Sequence, residues 1–378
     1  MTGDDLVASV RRSLTGVADA DLHRQVRAAL PLRGTSGVLD LVHDLERDLI
    51  GAGPLASLLL DADVTDVLVN GPGPVWVDRG GGAVVSGVRI DDETTLRTLA
   101  RRLVASCGGR LDDAQPFADA RLPDGTRVHA VLPPVAVQGT TLSLRVPPRR
   151  SFSIDALIAA GSITDAAAGW LRSIVDCRVA FAITGGTGTG KTTVLSALLS
   201  EVDVRERMVL VEDTAELRPS HDHVVRLEAR TANTEGAGAV ALDELVRQAL
   251  RMRPDRLVVG EARGSEVVAL LAALNTGHDG GCTTLHANRI EHVPARIEAL
   301  AVAAGLTREG AHAQIAAALR VVVHLHRDRD GHRRIAGVGV LAADAAGYVH
   351  ARPALRFAPD GVHRDVAAAE LQRQLECG

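Results

Sequence analysis

Aromatic side chains are nearly missing from this sequence: Phe, Trp and Tyr together make up 2% of 378 residues. Apolar residues still reach 46%, so the cores must be built from Val, Leu, Ile and Ala. The same scarcity removes the stacking platforms on which single-stranded nucleic acid is held. Cysteine is sparse too. Cys107, Cys177, Cys282 and Cys377 stand far apart with no C-x-x-C pair, which argues against a zinc ribbon or a disulfide framework and for a reducing compartment. No apolar run approaches the roughly 18 residues that a membrane-spanning helix needs. The longest, 267–274, reads as a buried helix face, and the acidic start MTGDDLVASV lacks a signal-peptide core. The formal charge of −5 gives no bulk attraction to nucleic acid. These features predict a cytoplasmic protein whose only route to a membrane is through a partner.

Lysine is the sharpest shortage. Of 42 Lys and Arg residues 41 are arginine, and the one lysine, Lys191, sits in GGTGTGKTT at 185–193. A bias toward arginine is tolerated wherever a generic cation suffices. It fails where a compact ammonium on a flexible stem is required. Gly185, Gly190, Lys191 and Thr192 fit G-x-x-x-x-G-K-[ST], the phosphate-binding loop pattern, after an apolar strand and before a helix. The whole run Gly185, Gly186, Thr187, Gly188, Thr189, Gly190, Lys191, Thr192 and Thr193 is the predicted nucleotide site. Its glycines let successive backbone N–H groups turn inward around phosphates, at a helix N-terminus that favours negative charge. Lys191 is expected to bridge the β- and γ-phosphates and Thr192 to hold Mg²⁺, so ATP and Mg²⁺ are the expected cofactors.

The surrounding pattern divides the chain. Residues 1–45 read as a helical segment, with Leu6, Val10 and Leu14 on one face. Residues 46–145 break into short strands at 64–70, 75–78, 127–132 and 141–146 around a helix near 92–105, an α+β domain. The VPPRRS stretch supplies a linker at 146–151. From 152 to 345 strands and helices alternate, with strands at 179–184, 208–212, 257–260, 283–286 and 321–326, which predicts a largely parallel sheet covered by helices. Residues 337–341 suggest a late strand, and 346–378 read as a helical, partly exposed tail.

Three further motifs surround the loop. VLVEDTAEL (209–217) ends a strand on two acids, Glu212 and Asp213, beside the loop. Two acids there are costly to bury unless Mg²⁺ or water engages them, though an Asp that caps a turn accounts for Asp213 as well. RMRPDRLVVGEARG (251–264) places Glu261 at a strand end where a Walker B carboxylate lies, with Gly260 in place of the usual Asp. Glu261 suits polarisation of the attacking water and a water-mediated link to Mg²⁺, with capping of the next helix as its structural alternative; Glu212 is an equal candidate, and the sequence leaves open which of the two glutamates is the main catalytic base. NTGHDGGCTTLHAN (275–288) brackets a glycine-rich turn with His278 and His286. A sensor of the γ-phosphate suits both, and a histidine bonded to a nearby carbonyl is the alternative for His278.

Together these four elements resemble the type II/type IV secretion ATPase superfamily. GPLASLLLDADVTDVLVNGPGPVWVDRGG and GRLDDAQPFADARLPDGTRVHAVLPP resemble the N-terminal domain of its CpaF/TadA branch, which serves Tad-type pili. The resemblance covers about 45–341 and implies a RecA-like P-loop ATPase domain, a hexameric ring and an inner-membrane platform protein as partner. It also implies arginines that reach the nucleotide from the N-terminal domain: Arg121 and Arg127 in DARLPDGTR, with Arg145 beside them. Guanidinium groups suit phosphate charge in a transition state, although surface arginines on a strand pair would look the same. The tetracysteine module of many pilus-extension ATPases is missing. Two other readings compete: a DNA-translocating conjugation ATPase with a similar core, and a nucleotide-gated scaffold that barely turns ATP over.

Overall fold

The computed structural model describes residues 52–147, 151–230, 237–328, 330–358 and 360–376. The predicted helical segment at 1–45 and the centre of the predicted linker lie outside them. The described residues separate into two compact units, 52–147 in the first and those from 151 onward in the second.

In the first unit a short helix α1 (Ala56–Leu60) precedes strands β1 (Asp66–Asn70), β2 (Gly73–Asp78) and β3 (Ala83–Ile90). Helix α2 (Glu93–Ser106) follows, then β4 (Phe117–Arg121), β5 (Arg127–Val131) and β6 (Thr141–Arg145). The strands form one six-stranded sheet in the order β3-β2-β1-β6-β5-β4, antiparallel throughout. Asp92 caps α2 by accepting the Thr95 N–H at 2.7 Å. The helix buries Leu96, Leu99, Ala100, Leu103 and Val104 against Val67, Val69, Val75, Val77, Leu142 and Leu144 of the sheet. Because side chains alternate along a strand, covering one face leaves the residues between these valines and leucines on the other.

The second unit begins with α3 (Ile154–Ala159) and α4 (Asp165–Asp176), which lead into β7 (Phe181–Thr184) and α5 (Lys191–Leu199). Next come β8 (Met208–Glu212), β9 (Val224–Glu228), α6 (Leu242–Ala249), β10 (Arg256–Val259), α7 (Glu266–Leu274) and β11 (Cys282–Leu285). Helices α8 (Val293–Ala303) and α9 (Arg308–Ala318) precede β12 (Val321–Arg327), β13 (Arg333–Ala343), β14 (Val349–Ala358), β15 (Gly361–Arg364) and α10 (Ala368–Gln374). The nine-stranded sheet runs β15-β14-β13-β12-β7-β11-β10-β8-β9. It is parallel from β12 to β9, as the alternation predicts, and antiparallel from β12 to β15. Successive residues of its inner strands enter two different cores: Met208 and Leu210 pack on one side, Val209 and Val211 on the other. A strand buried on both faces reads as an unbroken apolar run, which is why these strands were visible in sequence.

Two expectations are corrected. Residues 346–378 are not a helical tail: they supply β14 and β15, and only then α10, because the antiparallel end of the sheet needs strands to continue it. The domain predicted to end at 345 therefore continues through them. Cys177, at the end of α4, is disulfide-bonded, against the all-thiol expectation. The fold brings the C-terminal end of the chain back to α4, with the Leu375 carbonyl oxygen 3.0 Å from the Cys177 sulfur. Cys107 and Cys282 are free.

Candidate nucleotide site

The carboxyl edge of a parallel sheet is where an α/β fold gathers ligand-binding loops. Four strands deliver the predicted residues there. β7 leads into the glycine loop, β8 ends on Glu212, β10 is followed by Gly260 and Glu261, and β11 by His286. Gly190 stands at the start of α5 with φ 91°, and no side chain caps the helix, which leaves its first backbone N–H groups available to an anion. Gly185 is required on space as well as conformation: at φ 155°, a Cβ there would lie 2.7 Å from the Leu325 carbonyl oxygen. Thr189 is buried and donates its hydroxyl to the Gly186 carbonyl at 2.9 Å; Thr192 and Thr193 are half-buried and Thr187 is exposed.

Lys191 is buried, 8% exposed. Its Nζ donates to the Gly185 and Gly186 carbonyls at 3.2 and 3.0 Å and lies 3.3 Å from His286 Nδ1. On the other side of the ring, His286 Nε2 lies 2.8 Å from Glu261 Oε1. An ammonium only donates and a carboxylate only accepts, so Nδ1 must be the acceptor and Nε2 must carry the proton. His286 is thus a neutral link between the lysine and the glutamate. Burial, and then the Lys191 charge, hold its pKa below the usual histidine value, which favours the neutral ring. Burial likewise lowers the Lys191 pKa, opposed by the charge of Glu261.

Glu212 is a different kind of acid. It is 4% exposed, and its Oε1 accepts the N–H groups of Glu216 and Leu217, each at 3.0 Å. Its Oε2 is buried without a partner. Burial pushes its pKa up to about 7, against the lowering effect of the two N–H groups. The glycine at 260 now has a physical reason. A Cβ on Gly260 would lie 2.7 Å from Glu212 Cγ and 3.1 Å from its Oε1, so the glutamate occupies the room an Asp would need.

The remaining predicted residues fall elsewhere. Asp213 forms an ion pair with Arg263, a partner that sequence reasoning missed. His278 Nδ1 donates to the Ala273 carbonyl at 3.1 Å, the structural alternative; this bond ties it to the end of α7. In the first unit, register places Arg121 opposite Arg127 and Arg127 opposite Arg145, so the three lie in one row on the face away from α2. Arg145 Nε donates to Asp66 at 3.2 Å in the same row.

A glycine loop joining a central parallel strand to a helix, with strand-end acids beside it, defines a RecA-like P-loop ATPase. The chain belongs to the type II/IV secretion system protein family, whose model matches residues 48–362. It is 52% identical over 341 residues to a Mycobacterium tuberculosis (strain H37Rv) protein named "Putative conjugal transfer protein", covering 89% of this chain and 96% of that one. It is 32% identical over 286 residues to the conjugal transfer protein TrbB of Rhizobium radiobacter, covering 74% and 84%. Among solved structures the Legionella pneumophila ATPase DotB shares the fold, with a TM-score of 0.51 and 19% identity over 87% of this chain and 83% of that one. Among the described residues no helix is long and apolar enough to cross a membrane.

Proposed function

We propose that this chain is the motor ATPase of a Tad/type IV-like pilus or a type II/IV secretion machine. The observation that carries the reading is the chain Lys191–His286–Glu261 at the mouth of the loop. Lys191 is tied to two loop carbonyls and to His286. Phosphates entering the loop exchange those partners for stronger ones, and the change at Lys191 reaches Glu261 through the histidine. Glu261, half-buried, accepts from water and orients it for attack. Glu212, which caps the turn at 216–217 through backbone N–H groups, positions the strand end and is not the base. Mg²⁺ enters with the nucleotide as part of the substrate. The Thr192 hydroxyl on the first turn of α5 suits it as a ligand, in keeping with an ion that keeps most of its ligands as phosphate and water.

Arg121 and Arg127, with Arg145, are the candidates for stabilising charge on the transferring phosphate. Such arginines make hydrolysis change the relation between the two units, provided ATP and ADP differ in their contacts with them. The ring, taken as a hexamer, passes that motion to an inner-membrane platform protein from the cytoplasmic side. Phosphate release by the purified chain tests the chemistry: Glu261→Gln should keep ATP binding and lose turnover by about 100-fold. Wild-type turnover in that variant would remove Glu261 from the role. Co-purification with a polytopic membrane protein, absent with Lys191→Ala, tests the partner.

The names of the conjugal-transfer relatives favour a second reading, a DNA-translocating ATPase of similar core. It predicts DNA-stimulated hydrolysis with a steep salt dependence. The net charge of −5 and the scarcity of aromatics count against it.

A further inference from the structure

The loop that carries Glu261 is held from three sides. Toward β11, the Ala262 N–H donates to the Thr284 carbonyl at 2.9 Å, and the Thr284 hydroxyl donates to the Gly260 carbonyl at 2.7 Å. Toward α7, the N–H groups of Arg263 and Gly264 donate to Glu266 Oε1 at 2.5 and 2.7 Å. Glu266 is 5% exposed, so water does not compete for these bonds, and they fix the backbone from which Arg263 projects. Toward β8, the strand bonds end at Gly260, whose N–H donates to the Val211 carbonyl at 2.9 Å. Beyond that point Arg263 reaches across and pairs with Asp213.

Asp213 directly follows Glu212, whose carboxylate holds the turn at 216–217. The ion pair therefore joins two loops, each fixed by a buried glutamate, where both leave the sheet. For stability it is a weak joint. The Arg263 and Asp213 side chains are 55% and 32% exposed, and both residues line a cavity of about 610 Å³ that Glu266 and Asp243 also border. Water and salt screen such a pair, and two side chains lose freedom to form it. What it supplies is direction. Glu261 lies between the last strand bond at Gly260 and the ion pair at Arg263, so the pair limits how far the glutamate can swing from His286.

We propose that Arg263 is a positioning residue for hydrolysis: paired with Asp213, it fixes the loop that aims Glu261 at the attacking water. The inference rests on Glu261 being the group that orients water and deepens that reading. Arg263 acts through the backbone of its own loop and through no contact with the nucleotide. A misplacement of about 1 Å slows the chemical step without loosening the grip of the glycine loop on phosphate.

ATP Kd, single-turnover hydrolysis and melting temperature, all on the full chain, separate this role from the others. Arg263→Ala and Asp213→Ala should each slow hydrolysis by about tenfold or more, with ATP Kd within about threefold of wild type and the melting temperature within about 4 °C. The double variant should be within about threefold of either single one, because the same joint is lost in all three. In the Glu261→Gln background Arg263→Ala should slow hydrolysis by less than about twofold. Wild-type hydrolysis in Arg263→Ala would overturn the proposal, as would multiplying losses in the double variant or an undiminished loss on top of Glu261→Gln. A fall in melting temperature of more than about 10 °C would make the pair structural. Loss of ATP affinity in Asp213→Ala as large as its loss of rate would give Asp213 to the nucleotide, and either result overturns the assignment. Wild-type hydrolysis in Glu261→Gln would instead overturn the reading of Glu261 itself.

Discussion

The two units present positive charge in opposite ways. In the second, one ammonium is buried, held by two carbonyls and a neutral histidine, and confined to a loop whose glycines leave no other path. In the first, three guanidinium groups lie in one row across three strands, on the sheet face that α2 does not cover. A buried cation on a rigid loop grips phosphate regardless of what happens elsewhere. In the proposed function the row of arginines on the other unit serves the transferring phosphate and not the grip on the nucleotide. The contrast divides the proposed work: binding belongs to Lys191, and commitment to hydrolysis belongs to the arginines.

The division makes ordered predictions. The largest effect belongs to Lys191→Ala, which should lower ATP turnover by about 1000-fold or more, measured as phosphate release, because the buried charge that grips the phosphates is lost and ATP no longer binds. Turnover within tenfold of wild type would break the comparison on its binding side. Next is the pH dependence of stability set by Glu212. Its pKa is raised from 4.5 to about 7, so the folded chain holds a proton that the unfolded chain releases. That contribution is fully present below the unfolded value and is lost as pH rises through about 7. Urea unfolding should show stability falling by roughly 3 kcal/mol from this one group between pH 5 and 8, and Glu212→Gln should flatten the slope. An unchanged slope would mean that Glu212 is ionised at neutral pH and available as a base after all. The smallest effect is steric. Gly260→Ala should destabilise by about 1–3 kcal/mol through contact with Glu212, with part recovered in the Glu212→Ala background, read as a double-mutant cycle in melting temperature. Additivity would show that the two residues do not share that space.

Much of this was legible in sequence, for reasons that differ by element. β8 is legible at its observed bounds because MVLVE is buried on both faces, and the loop because phosphate binding dictates its residue types at fixed spacing. β14 escaped detection because VHARPALRFA carries Pro353 and alternates alanine with arginine, and its pairing to β13 shifts register between Val338 and Gly339. Within the site, Glu212 and Glu261 looked equivalent in sequence. Only burial and partners distinguish them: two backbone N–H groups for one, a histidine for the other.

The central claim is the separation of grip from commitment, and one preparation tests it. Nucleotide affinity and single-turnover hydrolysis should be measured on the same Arg121→Ala/Arg127→Ala double variant. The account predicts an ATP Kd within about threefold of wild type and a hydrolysis rate lower by at least about 100-fold, the scale on which loss of a donor aimed at transition-state charge is felt. Wild-type hydrolysis in that variant would contradict it, and so would a loss of affinity as large as the loss of rate.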